Sequence, residues 1–205
     1  MRKVTQDEIL GLAAYEQIRE RFRNRLIDHK KSRRVLLGPE MSLVFEDHDT
    51  VLLQVQEMLR TERISDPTAV RFEIDTYNEL TPPDDSLLGT LMIETVEEAA
   101  RERKRREYVG LDRAIALEIG DRRFVAQFAP EGIYPDRIAV VQYLRFDMAP
   151  DGRALLLDAR SPARIVSNHP RYQHSVDVPM RMRESLARDL DPANANVLSG
   201  ASPTA

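Results

Sequence analysis

The sequence predicts an α+β fold in a single domain, with a mainly antiparallel sheet and N-terminal helices packed on it. Apolar residues recur with helical spacing in the first half of the chain, whereas the second half alternates apolar and polar residues as strands do. The links between the predicted strands are short enough for hairpins, which favours antiparallel pairing. The 205 residues are 42% hydrophobic and 31% charged, a composition that excludes collagen-like and wholly disordered proteins.

The first half of the chain is predicted to be mainly helical. Thr5 and Glu8 fit a capping box at the start of the first helix. Asp47 or Asp49 can cap the second helix, and Pro67 suits the first turn of the third. The predicted elements are, in order, a helix over 6–28, a hairpin formed by 35–37 and 43–45, helices over 50–64 and 67–79, a loop over 81–85, a strand over 88–94 and a helix over 96–108.

The second half is predicted to be rich in strands. Gly120-Asp121 fits a two-residue turn between strands over 114–119 and 122–128. Residues 138–148 alternate in the manner of a long strand with one wetter face. The remaining predicted elements are strands at 155–157 and 164–166, a helix over 179–190 and a flexible tail over 191–205, so that one domain spans residues 1–190.

The composition indicates a cytoplasmic protein that does not enter a membrane. Cysteine is absent, which excludes disulfides, thiolate metal sites and cysteine nucleophiles. The first eight residues are too polar and acidic to open a signal peptide. No apolar run approaches the roughly 20 residues that a membrane helix needs.

Charge is distributed unevenly along the chain. Residues 1–34, the basic N-terminal strip, hold ten Lys or Arg and five Asp or Glu, whereas the rest holds twenty and twenty-nine. The strip is either a solvated helix face neutralised by the acidic remainder or a docking surface for an acidic partner. Because the whole chain has a net charge of −4, we expect no specific binding of nucleic acid.

The helix predicted over 50–64 carries a concentrated set of polar residues. Glu57 and Arg60 are three residues apart and can form an ion pair, with Gln56 on the same flank as Arg60. If the helix is buried, these groups need partners, and Glu94 at the end of a strand is a candidate third member. Such a network is either an architectural clasp or the floor of an anion-recognising pocket. Glu57, Arg60 and Glu94 are therefore the predicted catalytic residues.

A metal site is the second chemical prediction. Imidazole and carboxylate together suit iron, manganese or zinc, and a site of Glu46, Glu57 and His169 would hold a non-haem metal ion such as iron. The run from Glu46 to Asp49 is better explained by helix capping than by metal ligation. No His-Glu-x-x-His motif, glycine-rich phosphate loop or Gly-x-Ser-x-Gly elbow is present.

Several distinctive segments carry a resemblance to a known family. They are His29–Pro39, Leu43–Asp47, Gln54–Ile64, Tyr77–Pro82, Thr90–Glu94 and His169–Tyr172. In sequential order over roughly residues 4–190, they resemble the domain-of-unknown-function 3501 family of bacterial proteins. Thr81-Pro82 departs from the Ile-Pro pair expected there. The family's genes often lie near those of rubrerythrin-like proteins and iron–sulfur oxidoreductases, so the resemblance implies a redox setting.

Two functions follow from these observations. The first is a small metal-dependent or redox-associated enzyme with a polar pocket built from residues 29–63, Glu94 and His169. In this pocket His29, Arg33, Arg34 and Gln56 are the predicted ligand-binding residues. The second is a non-catalytic interaction or assembly module that docks an acidic redox protein through the basic N-terminal strip. A homo-oligomer is compatible with either.

Overall fold

The described part of the chain, residues 2–79, 81, 85–95 and 97–191, forms six α-helices and nine strands in a computed structural model. The helices are α1 (Leu12–Lys31), α2 (His48–Thr61), α3 (Pro67–Glu79), α4 (Glu98–Glu107), α5 (Gly152–Leu157) and α6 (Met180–Asp189). The strands are β1 (Arg34–Leu37), β2 (Met41–Glu46), β3 (Ser86–Ile93), β4 (Ile115–Ile119), β5 (Arg122–Val125), β6 (Gln127–Phe128), β7 (Val141–Asp147), β8 (Ala163–His169) and β9 (Tyr172–Asp177).

The strands form two antiparallel sheets. The first sheet has the order β1-β2-β3-β7-β6, and the second sheet has the order β5-β4-β8-β9. Strands β5 and β6 are separated by Ala126 alone, yet β5 pairs with β4 in the second sheet and β6 pairs with β7 in the first. One extended segment therefore passes from one sheet to the other.

The main hydrophobic core lies between the two sheets. Phe45 and Phe146 of the first sheet are fully buried, with ring centroids 5.9 Å apart. Ile115, Leu117 and Ile165 of the second sheet are fully buried in the same cluster. Alternation along these strands sends one face into the core, as the sequence pattern predicts.

Helices α1, α2 and α3 form a layer against the other face of the first sheet. All six residues of β2 are buried because both faces of this strand are covered. The layer has its own apolar cluster, which includes Val51, Val55 and Ile74. This layer corresponds to the packing of N-terminal helices on the sheet that the sequence predicts.

Two buried carboxamides attach the N-terminal segment to the helical layer. Asn78 accepts from the Val4 amide at 2.9 Å and donates to the Val4 carbonyl at 2.8 Å. Gln56 makes the same pair of bonds with Leu10, at 3.0 Å and 2.9 Å. Each side chain satisfies both backbone groups of one residue, as a neighbouring strand would.

A buried arginine joins α6 to the end of α5. Arg183 donates four hydrogen bonds of 2.7–2.9 Å, all to backbone carbonyls. Two of these carbonyls belong to the last turn of α5 and two to the following turn, at Leu155, Leu156, Asp158 and Ser161. Arg183 thus satisfies carbonyl groups that the end of a helix leaves without partners.

Most predicted elements are confirmed in type and place. The hairpin of residues 35–45, the helix at 67–79, the strand near 88–94 and the hairpin across Gly120 all form. Asp47, rather than Asp49, is the N-cap of α2, where its carboxylate accepts from the Thr50 amide at 3.0 Å. The helices predicted over 96–108 and 179–190 form as α4 and α6.

Three predicted elements differ from the structure. The helix predicted over 6–28 is a short 3-10 turn at Gln6–Glu8 followed by α1, because residues between them bond to Gln56 and Gly11 is the N-cap of α1. The predicted strand at 155–157 is wrong, since these residues end α5; a short apolar run does not distinguish a strand from a buried helix. The strand predicted over 138–148 is shorter and forms as β7, Val141–Asp147. In addition, strand β9 was not predicted from the sequence.

The predicted loop over 81–85 and the predicted tail over 191–205 lie partly outside the described residues. The loop predicted over 81–85 includes residues 82–84, and the predicted flexible tail includes 192–205, none of which the structure describes. The extent of the domain and the tail therefore remain predictions.

Candidate functional site

A fully buried guanidinium lies where α1, β2, α2 and α6 meet. Arg33, which follows α1, has 1% of its surface exposed. Its Nε donates to the Phe45 carbonyl at 2.8 Å, and its terminal nitrogens donate to Ser185 Oγ at 2.7 Å and to the Asp189 carboxylate. A second carboxylate, Asp47, has Oδ2 3.6 Å from Arg33 Nη1. The buried guanidinium of Arg33 thus forms ion pairs with two carboxylates.

Asp47 joins this guanidinium to a histidine. Asp47 Oδ2 is 2.5 Å from His29 Nε2, in the last turn of α1. Burial alone would raise the pKa of Asp47, but the hydrogen bond with His29 and the charge of Arg33 outweigh it and lower the pKa to about 2. The hydrogen bond with Asp47 also raises the pKa of His29, although burial opposes it. Asp47 is therefore ionised at any physiological pH.

Asp189 has the opposite character although it contacts the same guanidinium. Burial and the negative charge of Asp47 raise the pKa of Asp189, Arg33 lowers it, and the net result is a pKa of about 6. Two carboxyl groups on one cation are thereby held in different protonation ranges. Pairs of this kind are found where a protein separates acid and base roles.

The imidazole of His29 is the accessible member of this group. Its side chain is 33% exposed, whereas that of Asp47 is 15% exposed. Because Nε2 bonds to Asp47, the other ring nitrogen, Nδ1, carries no partner among the residues that the structure describes. We name His29, Arg33, Asp47 and Asp189 the Arg33 cluster.

Glu46 and Lys30 lie at the edge of this cluster. Glu46 is 4% exposed; its Oε1 accepts from Thr90 at 2.8 Å, and its carbonyl lies 3.3 Å from an Arg33 nitrogen. Lys30 Nζ lies 3.4 Å from Glu46 Oε2, close enough for an ion pair but without hydrogen-bond geometry. Of the predicted site residues, His29, Arg33 and Glu46 are therefore brought together.

The predicted ion pair between Glu57 and Arg60 is wrong. Glu57 forms a bidentate pair with Arg19, with both contacts at 2.8 Å, and accepts from Tyr15 at 2.7 Å. Arg60 instead contacts Glu16 at 2.5 Å. Both partners lie on α1. Glu57 and Arg60 therefore each bind to the neighbouring helix rather than to each other. Neither group is fully buried, so the buried network expected here does not form.

The remaining predicted residues lie in other surroundings. Gln56 is buried against Leu10 and holds the N-terminal segment. Arg34 on β1 forms an ion pair with Glu94, which lies just after β3. Both side chains also contact Ser42 on β2. Arg34, Gln56 and Glu94 thus have structural partners in the described chain.

His169 lies on β8, in the second sheet. Its Nε2 is 3.1 Å from the Val109 carbonyl, and its Nδ1 accepts from the Arg171 amide at 3.2 Å. Its ring also contacts Tyr108 edge-on. Both ring nitrogens are therefore used by the protein.

The predicted metal ligands do not converge. Glu46, Glu57 and His169 each have a different set of partners. Within residues 2–79, 81, 85–95 and 97–191, no group of three or more His, Asp or Glu side chains is arranged to hold a metal ion.

The basic N-terminal strip is largely paired within the chain. Among the described residues, seven of its ten cations contact carboxylates: Arg2, Arg19, Arg23, Lys30, Lys31, Arg33 and Arg34. The strip thus pairs α1 with acidic groups of α2 and β2, and the residue Arg33 after α1 with α6, which agrees with neutralisation by the rest of the chain. Docking of an acidic redox protein remains a prediction.

Sequence reasoning assigned Asp47 only a capping role and did not single out Asp189. The cap position of Asp47 is visible from the Thr50 that follows it three residues later. Asp189 gives no such signal, because it meets Arg33 from 156 residues away.

Fold and cluster together define an α+β protein with a helical layer over a two-sheet core and a buried ionic cluster. A family model described as "Protein of unknown function (DUF3501)" matches residues 3–190, so the chain belongs to the DUF3501 family and the resemblance seen in the sequence is confirmed.

A solved relative has the same fold. The crystal structure of a novel protein of unknown function from Burkholderia pseudomallei is 32% identical, with a TM-score of 0.84, over 92% of this chain and 100% of that one. No curated protein matches this chain. None of the described helices is long and apolar enough to cross a membrane.

Proposed function

We propose that the protein is a small acid–base enzyme in which His29 transfers a proton to or from a small-molecule substrate. The observation that supports this is the anchored imidazole. Nε2 is held at 2.5 Å by the mostly buried Asp47, while the His29 side chain as a whole keeps 33% of its surface exposed. A carboxylate that fixes a histidine in this way sets its tautomer and orientation and stabilises its charged form.

Each member of the Arg33 cluster has a role in this proposal. Arg33 and the Thr50 amide keep Asp47 ionised and fixed. Asp47 is a positioning residue for His29, and the raised pKa of His29 favours the protonated ring, which can donate a proton, over the neutral ring, which can accept one. Asp189 balances the charge of Arg33 from α6.

The proposal keeps the small enzyme predicted from sequence and moves its chemistry to His29. Metal-dependent or redox chemistry through Glu46, Glu57 and His169 remains a prediction without support from the geometry, because these side chains have separate partners. Most cations of the basic N-terminal strip have carboxylate partners, which weakens the alternative of an interaction module.

The test uses 5-nitrobenzisoxazole, whose ring opens when a base removes its C–H proton, so that the rate reports an accessible base without knowledge of the natural substrate. We expect the protein to accelerate ring opening with a rate that rises as His29 loses its proton. His29→Gln should remove this acceleration, and Asp47→Asn should shift the pH profile to lower pH.

The matched control is His174→Gln, which removes a histidine on β9 outside the cluster. Equal rates for wild-type protein and His29→Gln across the whole profile would show that His29 is not an accessible base and would refute the proposal.

A further inference from the structure

Two adjoining cavities lie at the opposite end of α1 from the Arg33 cluster. One, of about 180 Å³, is lined mostly by apolar side chains, including those of Ile9, Leu10, Leu12, Leu59, Ile64 and Val70. The other, an open cleft of about 470 Å³, is lined by Leu12, Glu16, Arg60, Thr61 and Arg63. Leu12 borders both, so an apolar slot opens beside two arginines. Helical rise from residue 12 to residue 29 places the slot roughly 25 Å from His29.

Arg63 has an unusual backbone for its residue type. Helix α2 ends in a Schellman arrangement, in which the Ile64 amide bonds to the Leu59 carbonyl at 2.9 Å and the Arg63 amide to the Arg60 carbonyl at 3.3 Å. Arg63 is the residue in the left-handed conformation, with φ of 55°, where glycine is usually found. An arginine here carries a conformational cost, and such costs concentrate at functional positions.

The guanidinium of Arg63 is available to an anion. Of the ion pairs that the described residues form, none involves Arg63, whereas Arg60 contacts Glu16 at 2.5 Å on one side. The slot next to these cations is large enough for a short aliphatic chain, since an engineered cavity of about 150 Å³ binds benzene. A cation beside an apolar slot suits a ligand with one charged end and one apolar end.

We propose that this is a binding site for a short-chain aliphatic carboxylate, whose chain fills the slot and whose carboxylate pairs with Arg63 and Arg60. The site is independent of the acid–base chemistry at His29. Glu16 competes with the ligand for Arg60, so the site is weakened by a residue of the protein itself. Gly11, the N-cap of α1, lines the apolar slot, which places the positive end of a helix in the same region.

The first experiment is calorimetric titration of the full chain with acetate, butyrate, hexanoate and hexanol. Each methylene buried in the slot should raise affinity roughly fourfold from butyrate to hexanoate. Hexanol should bind more weakly than hexanoate because it lacks the charge. If hexanoate binds no tighter than acetate, the slot does not take the chain; if hexanol binds as tightly as hexanoate, the arginines do not take the charge. Either result overturns the proposal.

The second experiment uses variants that keep the fold. Arg63→Gly suits the left-handed backbone, so we expect an equal or higher melting temperature together with about tenfold weaker hexanoate binding. Glu16→Gln frees Arg60 and should strengthen binding. Arg21→Gln, an exposed arginine on α1 outside both cavities, is the matched control and should bind as the wild type does. Unchanged hexanoate affinity in Arg63→Gly overturns the assignment of Arg63.

Discussion

Two arginines are buried in the part of the chain that the structure describes, and their partners differ. Arg33 is 1% exposed and contacts two carboxylates, whereas Arg183 is 4% exposed and donates only to backbone carbonyls. The surroundings of Arg33 can gain or lose protons, because Asp47, Asp189 and His29 titrate. Carbonyl groups do not titrate, so Arg183 joins α5 to α6 in the same way at any ordinary pH. The difference separates a site capable of chemistry from a purely architectural one.

The largest expected effect comes from removing the guanidinium of Arg33. Arg33→Met leaves Asp47 and Asp189 buried without their cation and should lower the free energy of unfolding by about 3–5 kcal/mol at neutral pH. In this variant both carboxyl groups favour the protonated form, so the loss should shrink as the pH falls. Urea unfolding at several pH values measures it.

Arg183→Met is the matched control for that prediction. It should also destabilise the protein, because buried carbonyls lose their donors, but the loss should not change with pH over the same range. A pH-independent loss in Arg33→Met would show that the two arginines do not differ as described.

Asp189→Asn tests the titrating carboxylate. Because the folded-state pKa of Asp189 is raised to about 6, its contribution to stability is present below its ordinary pKa of 3.8 and is lost as the pH rises through 6. The Asp189→Asn protein should match wild type at acid pH and exceed it by about 3 kcal/mol above the raised pKa. Thermal or urea unfolding against pH measures the difference; a variant less stable than wild type at high pH contradicts it.

Asp47→Asn should act in the opposite direction. The pKa of Asp47 is lowered to about 2, so its contribution is present above 3.8 and is lost only as the pH falls towards 2. We expect Asp47→Asn to cost about 2 kcal/mol at neutral pH. It should also lower the pKa of His29, which a nuclear magnetic resonance titration of the ring measures. An unchanged His29 pKa would mean that the 2.5 Å contact does not persist in solution.

Arg60→Ala gives the smallest expected effect. The side chain of Arg60 is 34% exposed and its partner Glu16 is 51% exposed, so the pair is screened by water. We expect a loss below about 1 kcal/mol, measured by urea unfolding. A loss as large as that of Arg33→Met would mean that burial does not distinguish the arginines.

Sequence patterns predicted the helices, the hairpins and the packing of helices on an antiparallel sheet, because these depend on local periodicity and turn residues. They missed the pairing of Arg33 with Asp189, because these residues are 156 positions apart and meet only where α6 packs beside the end of α1. Their spacing in the sequence also predicted an ion pair between Glu57 and Arg60, but each side chain forms its ion pair with a residue of α1. Proximity within one helix does not decide an ion pair when a second helix packs alongside.

The segment that leaves one sheet and enters the other also determines how the protein responds to mechanical load. Strands β5 and β6 are joined through Ala126, so along this segment tension on one sheet passes through a single residue to the hydrogen bonds of the other. The N-terminal segment, held to the helical layer at Val4 and Leu10 by one carboxamide each, should peel away at lower force and leave the core between the sheets intact.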